Sequence, residues 1–184
     1  MSYLFITFFT YSFIGFVLEI IFALVVRQRL ENRKTMLILP LCPVYGVGAL
    51  MLSAVLQPFK GSILAVILLG AITGTVAEYI YGYLATAIFN VTIWDYSKVT
   101  ANYKGIISLP FVAIWGILSL LFIYIVHPII NPILLNFPYQ ITTFLFILFL
   151  IDTFFTVKML IKIGKGKNDG DYYDCPVIKR KIHR

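Results

Sequence analysis

The sequence predicts an all-helical integral membrane protein, because it is rich in hydrophobic residues, contains long uncharged stretches and places its basic residues between them. Of the 184 residues, 60% are hydrophobic and 12% are charged, whereas soluble chains spend about 25% on charged residues. Residues 105–151 contain no Asp, Glu, Lys or Arg, and roughly 20 apolar residues suffice for one bilayer crossing. The composition therefore excludes a soluble enzyme domain, a disulfide scaffold and a disordered chain.

Five apolar segments predict five transmembrane helices, because a chain in lipid must satisfy its own backbone hydrogen bonds. These segments cover about residues 2–26, 36–56, 62–89, 106–126 and 141–157. We therefore expect a transmembrane domain over residues 1–157. The remaining residues, 158–184, are basic and rich in glycine near their start, and they predict a largely disordered cytoplasmic tail.

The basic residues predict the orientation. Fourteen of the fifteen Lys and Arg residues lie in the connections 27–35 and 90–105 or in the tail, and five crossings place all of them on one side. Only Lys60 falls on the other side. By the positive-inside rule the N-terminus is outside and the C-terminus is in the cytoplasm. The expected location is the cytoplasmic membrane, and the expected partner of the basic residues is anionic lipid headgroups, with no nucleic acid.

Matching motifs indicate an internal repeat of two helical hairpins. Gly15-x-x-x-Glu19 corresponds to Gly74-x-x-x-Glu78 at an offset of 59 residues. At an offset of 70 residues, Tyr45-Gly46 corresponds to Trp115-Gly116. The repeats cover about residues 11–56 and 70–126, run parallel to each other and leave the fifth helix, 141–157, outside the repeat.

Three carboxylates lie within the predicted spans: Glu19, Glu78 and Asp152. A charged side chain at this depth is costly and must face the protein interior, a cation or water. These residues are therefore candidates for a proton, cation or substrate site. The alternative is a buried ion pair or hydrogen bond that locks the hairpins together, with the candidate partners Arg27, Arg33, Lys34 and Lys104.

Two asparagines and two prolines complete the predicted site. Asn32 and Asn102 occupy equivalent repeat positions, as do Pro40 and Pro110. We expect the prolines to kink their helices and free backbone carbonyls. Together these residues would form the walls of a polar cavity that holds Glu19 and Glu78 and opens to the cytoplasm. Simple kinks without a ligand are the alternative.

The run Trp94-Asp95-Tyr96-Ser97 lies in the second cytoplasmic connection. An acid and a hydroxyl between aromatic residues could dock a cytoplasmic partner. The same aromatic residues could equally form a belt at the depth of the lipid headgroups. The sequence leaves both interpretations open.

The sequence predicts no enzyme, no cofactor and no metal site. Its two histidines, His127 and His183, are too few for a metal cluster or a catalytic triad. The two cysteines, Cys42 and Cys175, fall in different regions and predict no disulfide. The tail's Gly-Lys-Gly-Lys run lacks the spacing of a phosphate loop. A membrane-embedded enzyme is the weakest of the functional alternatives.

The sequence resembles the ABC-transporter type IV permease-like family of small bacterial membrane proteins. The resemblance covers roughly residues 11–128, and the chain lacks the glycines that relatives carry between Asn32 and Pro40. It rests on these motifs: Gly15 to Glu19, Asn32-Arg33, Pro40-x-Cys42-Pro43-x-Tyr45-Gly46-x-Gly48, Glu78-Tyr79, Trp94-Asp95-Tyr96-Ser97, Asn102-x-Lys104-Gly105 and Trp115-Gly116.

The resemblance implies a permease-like transporter component that works with a separate cytoplasmic ATPase. Five helices are few for a complete pathway, so we also expect a homo-oligomer or a hetero-oligomer. The rival interpretation is a membrane scaffold or regulatory subunit that transports nothing and whose carboxylates only pair the hairpins. The sequence does not identify a substrate.

Overall fold

Five apolar helical rods make up most of the computed structural model, which describes residues 2–25 and 35–166. Four of them are long and apolar enough to cross a membrane, and the second, Pro43–Phe59, is shorter. The elements are α1 (Ser2–Val25), α2 (Pro43–Leu56) with a 3-10 turn (Gln57–Phe59), α3 (Ile63–Phe89), β1 (Asn102–Tyr103), β2 (Ile107–Ser108), α4 (Leu109–Leu121), a π turn (Phe122–Val126), α5 (His127–Leu135) and α6 (Tyr139–Gly166).

The second helix begins later than predicted, at Pro43 instead of residue 36. Residues 35–42 are not helical. Pro43 occupies the first turn of α2 and Pro110 the first turn of α4, where a missing N–H leaves no helical hydrogen bond unmade. The predicted kinks at Pro40 and Pro110 are therefore wrong: Pro40 precedes its helix, and Pro110 begins one.

The last two spans are longer than predicted. α4, the π turn and α5 form one continuous helix, Leu109–Leu135, instead of the predicted 106–126. α6 covers Tyr139–Gly166 instead of 141–157, so residues 158–166, assigned to the tail, are helical. The rest of the predicted tail, 167–184, lies outside the described residues, as do Asn32 and the basic residues of the first connection.

Two helix pairs form the body of the molecule: α1 packs along α2, and α3 packs along α4, with α2 also against α3. Apolar side chains fill the end of the bundle where α2 ends and α3 begins. This core includes Ile6, Tyr11, Leu52, Leu56, Val66, Phe122 and Ile123. The carboxylates described below lie outside this core.

α6 is attached to the body near its two ends. Near its start, Phe146 packs edge-on against Phe5 with ring centroids 5.0 Å apart, and Phe149 packs against Phe8 at 5.4 Å. Near its end, Gly164 lies directly against the backbone carbonyl of Phe89, the last residue of α3. A glycine is required there because any Cβ would overlap that carbonyl.

We predict that Gly164→Ala destabilises the fold by about 2 kcal/mol, because the carbonyl it would strike belongs to the backbone and must move. The measurement is the unfolding midpoint of the purified protein in detergent. Gly61→Ala is the matched control, since a Cβ at Gly61 meets no atom within 4 Å. Equal midpoints for the two variants would contradict the close contact at Gly164.

Candidate functional site

Glu78 is a buried carboxylate whose two oxygens both accept hydrogen bonds from aromatic side chains. Its side chain is 6% exposed. The Tyr96 hydroxyl donates to Oε1 at 2.9 Å, and the Trp115 indole N–H donates to Oε2 at 3.1 Å. Among the residues that the structure describes, no Lys, Arg or His forms an ion pair with Glu78. Two neutral donors therefore replace the water that this carboxylate would otherwise bind.

The position of the Trp115 indole depends on Gly74, one helical turn before Glu78. The indole lies against Gly74, where a Cβ would overlap ring atoms. Because glycine has no side chain, α4 brings its indole up to the backbone of α3, as small residues permit between membrane helices. The indole N–H then reaches the carboxylate on the next turn of α3.

Glu19 has an equivalent arrangement in the first helix pair. The Tyr45 hydroxyl, near the start of α2, donates to Glu19 Oε1 at 2.9 Å. The Tyr45 ring lies against Gly15, one turn before Glu19, so that a Cβ on Gly15 would overlap it. Glu19 is half-buried. A glycine, an aromatic donor and a glutamate thus form the same unit in both helix pairs.

These two units meet between the two helix pairs. The Tyr45 and Trp115 rings are in contact, with centroids 5.7 Å apart, and each ring carries the donor to one of the two glutamates. We call this group the carboxylate cluster, and it consists of Glu19, Tyr45, Glu78, Tyr96 and Trp115. It brings together two of the predicted site residues from distant parts of the chain.

The contacts follow the offsets on which the predicted repeat is based. Gly46 of α2 lies against the backbone oxygen of Phe8, and Gly116 of α4 lies against that of Ile67. Phe8 and Ile67 are 59 residues apart, as Glu19 and Glu78 are. Gly46 and Gly116 are 70 residues apart, as Tyr45 and Trp115 are.

The run Trp94-Asp95-Tyr96-Ser97 divides between the bundle and the exterior. Trp94 stacks on Tyr81 of α3 with ring centroids 6.1 Å apart, and its N–H donates to the Ile106 carbonyl at 2.7 Å. Tyr96 stacks on Phe111 at 4.3 Å and reaches Glu78. Asp95 and Ser97 are exposed, and the Ser97 N–H donates to Asp95 Oδ1 at 2.8 Å. The sequence did not predict that this loop supplies a partner for Glu78.

Asn102 stabilises the β1–β2 hairpin. Its amide donates to the Ser97 and Val99 carbonyls at 3.3 and 2.9 Å, and its oxygen accepts from the Gly105 N–H at 3.2 Å. The side chain is exposed. These hydrogen bonds go to backbone groups of the hairpin turn and of the preceding loop, so the structure gives Asn102 a local role in the loop that carries Tyr96.

Asp152 binds the backbone of the non-helical segment 35–42 and is 1% exposed. Its carboxylate accepts from the N–H groups of Ile38 and Leu39 at 3.0 and 2.7 Å. One helical turn on, the Thr156 hydroxyl donates to Asp152 at 3.1 Å and accepts from the Leu37 N–H at 3.0 Å. Three successive N–H groups are thus satisfied by one face of α6, a pairing that sequence spacing did not reveal.

A second polar group lies where α1 meets α5. The Tyr11 hydroxyl and His127 Nδ1 are 3.1 Å apart, and the Tyr3 hydroxyl donates to Asn131 Oδ1 at 2.6 Å. His127 is buried, stacks on Phe122 and directly follows the π turn. These hydrogen bonds join the start of α1 to α5, and the sequence alone assigned no role to these residues.

The groups of the carboxylate cluster that could bind a proton or a cation are its carboxylate oxygens. The described part of the chain contains no group of three or more His, Cys, Asp or Glu that could hold a metal ion. A carboxylate held by side-chain donors can take up a proton or bind a small cation when a donor leaves. Such a change alters the charge inside the bundle.

Apolar helices of this length, with buried carboxylates between them, define a multi-pass helical membrane protein. The family model described as "Putative ABC-transporter type IV" matches residues 6–157. The chain belongs to that family and is a transporter-related membrane protein. No curated protein and no solved structure matches it.

We predict that Asp152→Ala lowers the stability by about 3 kcal/mol, because it leaves two backbone N–H groups without their acceptor. Asp152→Asn should cost less, since its amide oxygen still accepts one of these bonds. The measurement is thermal unfolding in detergent, with Thr143→Ala on α6 as the control for a helix hydroxyl bonded only to its own helix. An Asp152→Ala variant as stable as that control would contradict the anchoring role.

Proposed function

We propose that this chain is the permease-like membrane component of a transporter that works with a separate cytoplasmic ATPase. The observation that carries the proposal is the pair of glutamates between the two helix pairs, each bonded to an aromatic donor. A carboxylate inside the membrane marks an ion, proton or substrate path more often than a carboxylate on the protein surface does. The family membership supports the same conclusion.

The proposed topology has five crossings, with the N-terminus outside and the C-terminus in the cytoplasm. The shorter apolar helix Pro43–Phe59 supplies the fifth crossing, since about 1.5 Å per residue gives it a length of about 25 Å. The non-helical segment 35–42 precedes it, and irregular backbone is tolerated at membrane depth where protein groups satisfy it. Asp152 and Thr156 do so here.

The two helix pairs act as parallel repeats in this proposal. α1 with α2 and α3 with α4 each carry one glycine, one aromatic donor and one glutamate in the same arrangement. Repeats of this kind place a binding site at the interface between them. The carboxylate cluster is that interface, and the contact between the Tyr45 and Trp115 rings joins the two halves.

Tyr96 provides the means of exposing the site. It lies on the connection between α3 and α4, which the proposed topology places in the cytoplasm, and its hydroxyl is one of two donors to Glu78. When this connection moves, Glu78 loses a donor and gains access to water from the cytoplasm. An ATPase that binds this connection would couple nucleotide hydrolysis to the charge on Glu78.

The proposed ATPase is a separate chain, since the Gly-Lys-Gly-Lys run of the tail lacks the spacing of a phosphate loop. Five helices enclose little space, so a second copy or another membrane subunit would complete the pathway. The tail would be held near the membrane by anionic headgroups, at about 1 kcal/mol per basic residue. We propose no catalytic role for any residue.

A second candidate function is a membrane scaffold or regulatory subunit. The observation that favours it is Asp152, a buried carboxylate whose described hydrogen bonds hold backbone and a neighbouring hydroxyl. If Glu19 and Glu78 only join helices in the same manner, the chain needs no transport path. The two candidate functions predict different effects on stability and activity when the glutamates are replaced by neutral residues.

We predict from the proposed topology that Cys175 is protected in intact cells. In a Cys42→Ser background, an impermeant thiol reagent should label Cys175 only after the membrane is permeabilised. The control is Gly61→Cys with Cys175→Ser, which should be labelled in intact cells because Gly61 is exposed in the α2–α3 connection on the outer side. Labelling of Cys175 in intact cells would refute the orientation.

We predict that Glu19→Gln and Glu78→Gln keep the fold and abolish function. Glutamine retains the shape and one acceptor oxygen, so the unfolding midpoint in detergent should change by no more than a few degrees. The functional measurement is ATP hydrolysis by the complex purified with this chain and reconstituted in proteoliposomes, which should fall at least tenfold. Each variant removes one of the two carboxylates whose charge could change.

The control variants are Tyr45→Phe and Trp115→Phe, which remove one donor each and leave both carboxylates in place. For a transporter they should lower stability more than activity. For a scaffold, all four variants should lose stability together, and hydrolysis should follow stability. Absence of a copurifying ATPase, together with that pattern, would end the transport proposal.

A further inference from the structure

Two side-chain hydroxyls, those of Ser108 and Thr75, are buried without a hydrogen-bond partner in the part of the chain that the structure describes. Ser108 is 2% exposed. Buried polar side chains are nearly always paired, because an unpaired one loses its water without compensation. An unpaired hydroxyl inside a protein therefore indicates a site for water or for another small polar ligand.

The contacts between α3 and the start of α4 show where these hydroxyls lie relative to Glu78. Gly74 lies against Trp115, and Gly82, two turns further along α3, lies against Ile106 shortly before α4 begins. The two segments are therefore antiparallel, and Glu78 lies midway between the two glycines, about 6 Å along the helix from each. Residues that directly precede α4 thus face α3 on the side of Glu78 nearer the connection between these helices.

Ser108 lies in this part of the interface. It belongs to β2, which contacts α3, and it directly precedes Leu109, the first residue of α4. A serine at this position commonly caps its helix with the hydroxyl, but Ser108 makes no such bond. The Leu109 N–H donates to the Ala101 carbonyl at 3.0 Å. The backbone beside Ser108 is therefore hydrogen-bonded, while its buried hydroxyl remains available to a ligand.

Thr75 lies on the other side of Glu78, three residues earlier on α3, and side chains three residues apart are neighbours on a helix surface. Thr75 also follows Ala71 by one turn, and Ala71 packs against Gly116 of α4. A helical threonine commonly donates to the carbonyl four residues earlier, as Thr86 does at 3.0 Å, but Thr75 makes no such bond. The two unpaired hydroxyls therefore lie on either side of one buried carboxylate.

Water fits both positions, because Glu78 supplies a second partner for it. A buried water typically makes roughly two to four hydrogen bonds. Each Glu78 oxygen accepts one bond, from Tyr96 or from Trp115, and a carboxylate oxygen can accept a second. A divalent cation would need about six oxygen ligands, which is more than one carboxylate and two hydroxyls supply.

We propose that Ser108 and Thr75 each hold a water molecule beside Glu78, and that the ion exchanged at Glu78 is the proton. At the Ser108 water, an O–H bond breaks as one forms on a Glu78 oxygen. The water regains a proton from the next water toward the cytoplasm, and the carboxylate becomes neutral. This inference rests on the proposed site at Glu78 and names its ion, but it requires no ATPase.

The other titratable groups of the carboxylate cluster lie on three further elements. They are Glu19 on α1, Tyr45 on α2 and Tyr96 on the connection between α3 and α4. Trp115, which α4 contributes, does not titrate in this range. A proton taken up by the cluster is therefore assigned to Glu78 by comparison with Glu78→Gln.

The water sites are tested by removing each hydroxyl with Ser108→Ala and Thr75→Val, which nearly keep the shape of the side chain. If the hydroxyl binds water, its loss should lower the unfolding midpoint of the full-length protein in detergent by a few degrees. Because a buried hydroxyl without a partner costs stability, its loss would otherwise leave the midpoint unchanged or raise it. Should Ser108→Ala fail to fold, Ser108→Cys replaces it, since a thiol is a weak hydrogen-bonding group of similar shape.

The proton is tested by infrared spectroscopy, which detects the C=O band of a protonated carboxyl group. The wild-type protein should show a band that grows as the pH falls and that Glu78→Gln removes. In heavy water this band should shift, and Ser108→Ala should slow the shift by about tenfold or more. Ser119→Ala is the matched control, a buried serine of α4 whose hydroxyl donates to the Trp115 carbonyl at 2.8 Å. It should exchange within about twofold of wild type.

Four results would overturn the proposal. Unchanged or raised midpoints in both hydroxyl variants would remove the water sites, and exchange of Ser108→Ala at the wild-type rate would remove the proton route. A wild-type band that is absent at every pH at which the protein stays folded, or that responds to sodium ions and not to pH, would remove the proton itself. Neither measurement uses an ATPase, so these outcomes are distinct from failure of the transport proposal, which hydrolysis by the reconstituted complex tests.

Discussion

The structure depends on the requirement that backbone groups and carboxylates inside the membrane find their partners within the chain. Glu78 meets it with an indole and a phenol, and Asp152 meets it with two backbone N–H groups and a hydroxyl. Each of these two sets of hydrogen bonds joins parts of the chain that are far apart in sequence. The polar residues therefore determine which helices are neighbours, while apolar packing fills the opposite end of the bundle.

Glycines let the helices pack closely enough for the carboxylates to reach their partners. Gly15 and Gly74 let an aromatic ring lie on the helix backbone one turn before a glutamate. Had either position carried a side chain, the ring would stand further out and its N–H or O–H would not reach the carboxylate. A small residue and a buried acid four positions later thus act together, and this explains why the pattern occurs in both helix pairs.

Much of the fold could be predicted from the sequence, because the patterns of hydropathy and charge directly reflect which segments lie in lipid. The helices follow from such patterns, and so does the prediction, still untested, of a site at Glu19 and Glu78. The start of α2 could not be predicted, because residues 36–42 are apolar enough for a helix, and what holds them non-helical is Asp152, more than 100 residues away. The role of Tyr96 was missed for the same reason: its loop must fold back before the hydroxyl meets Glu78.

The nature of the donors separates the carboxylates into two kinds. Asp152 is bound by backbone N–H groups of Ile38 and Leu39, and these cannot leave without moving the segment itself. Glu78 is bound by side chains, and one of them, Tyr96, lies on a connection between helices. Side-chain donors can rotate away at the cost of one or two hydrogen bonds, whereas the fold around them persists. Since a site must exchange its partners and an anchor must keep them, the glutamates suit a site and the aspartate suits an anchor.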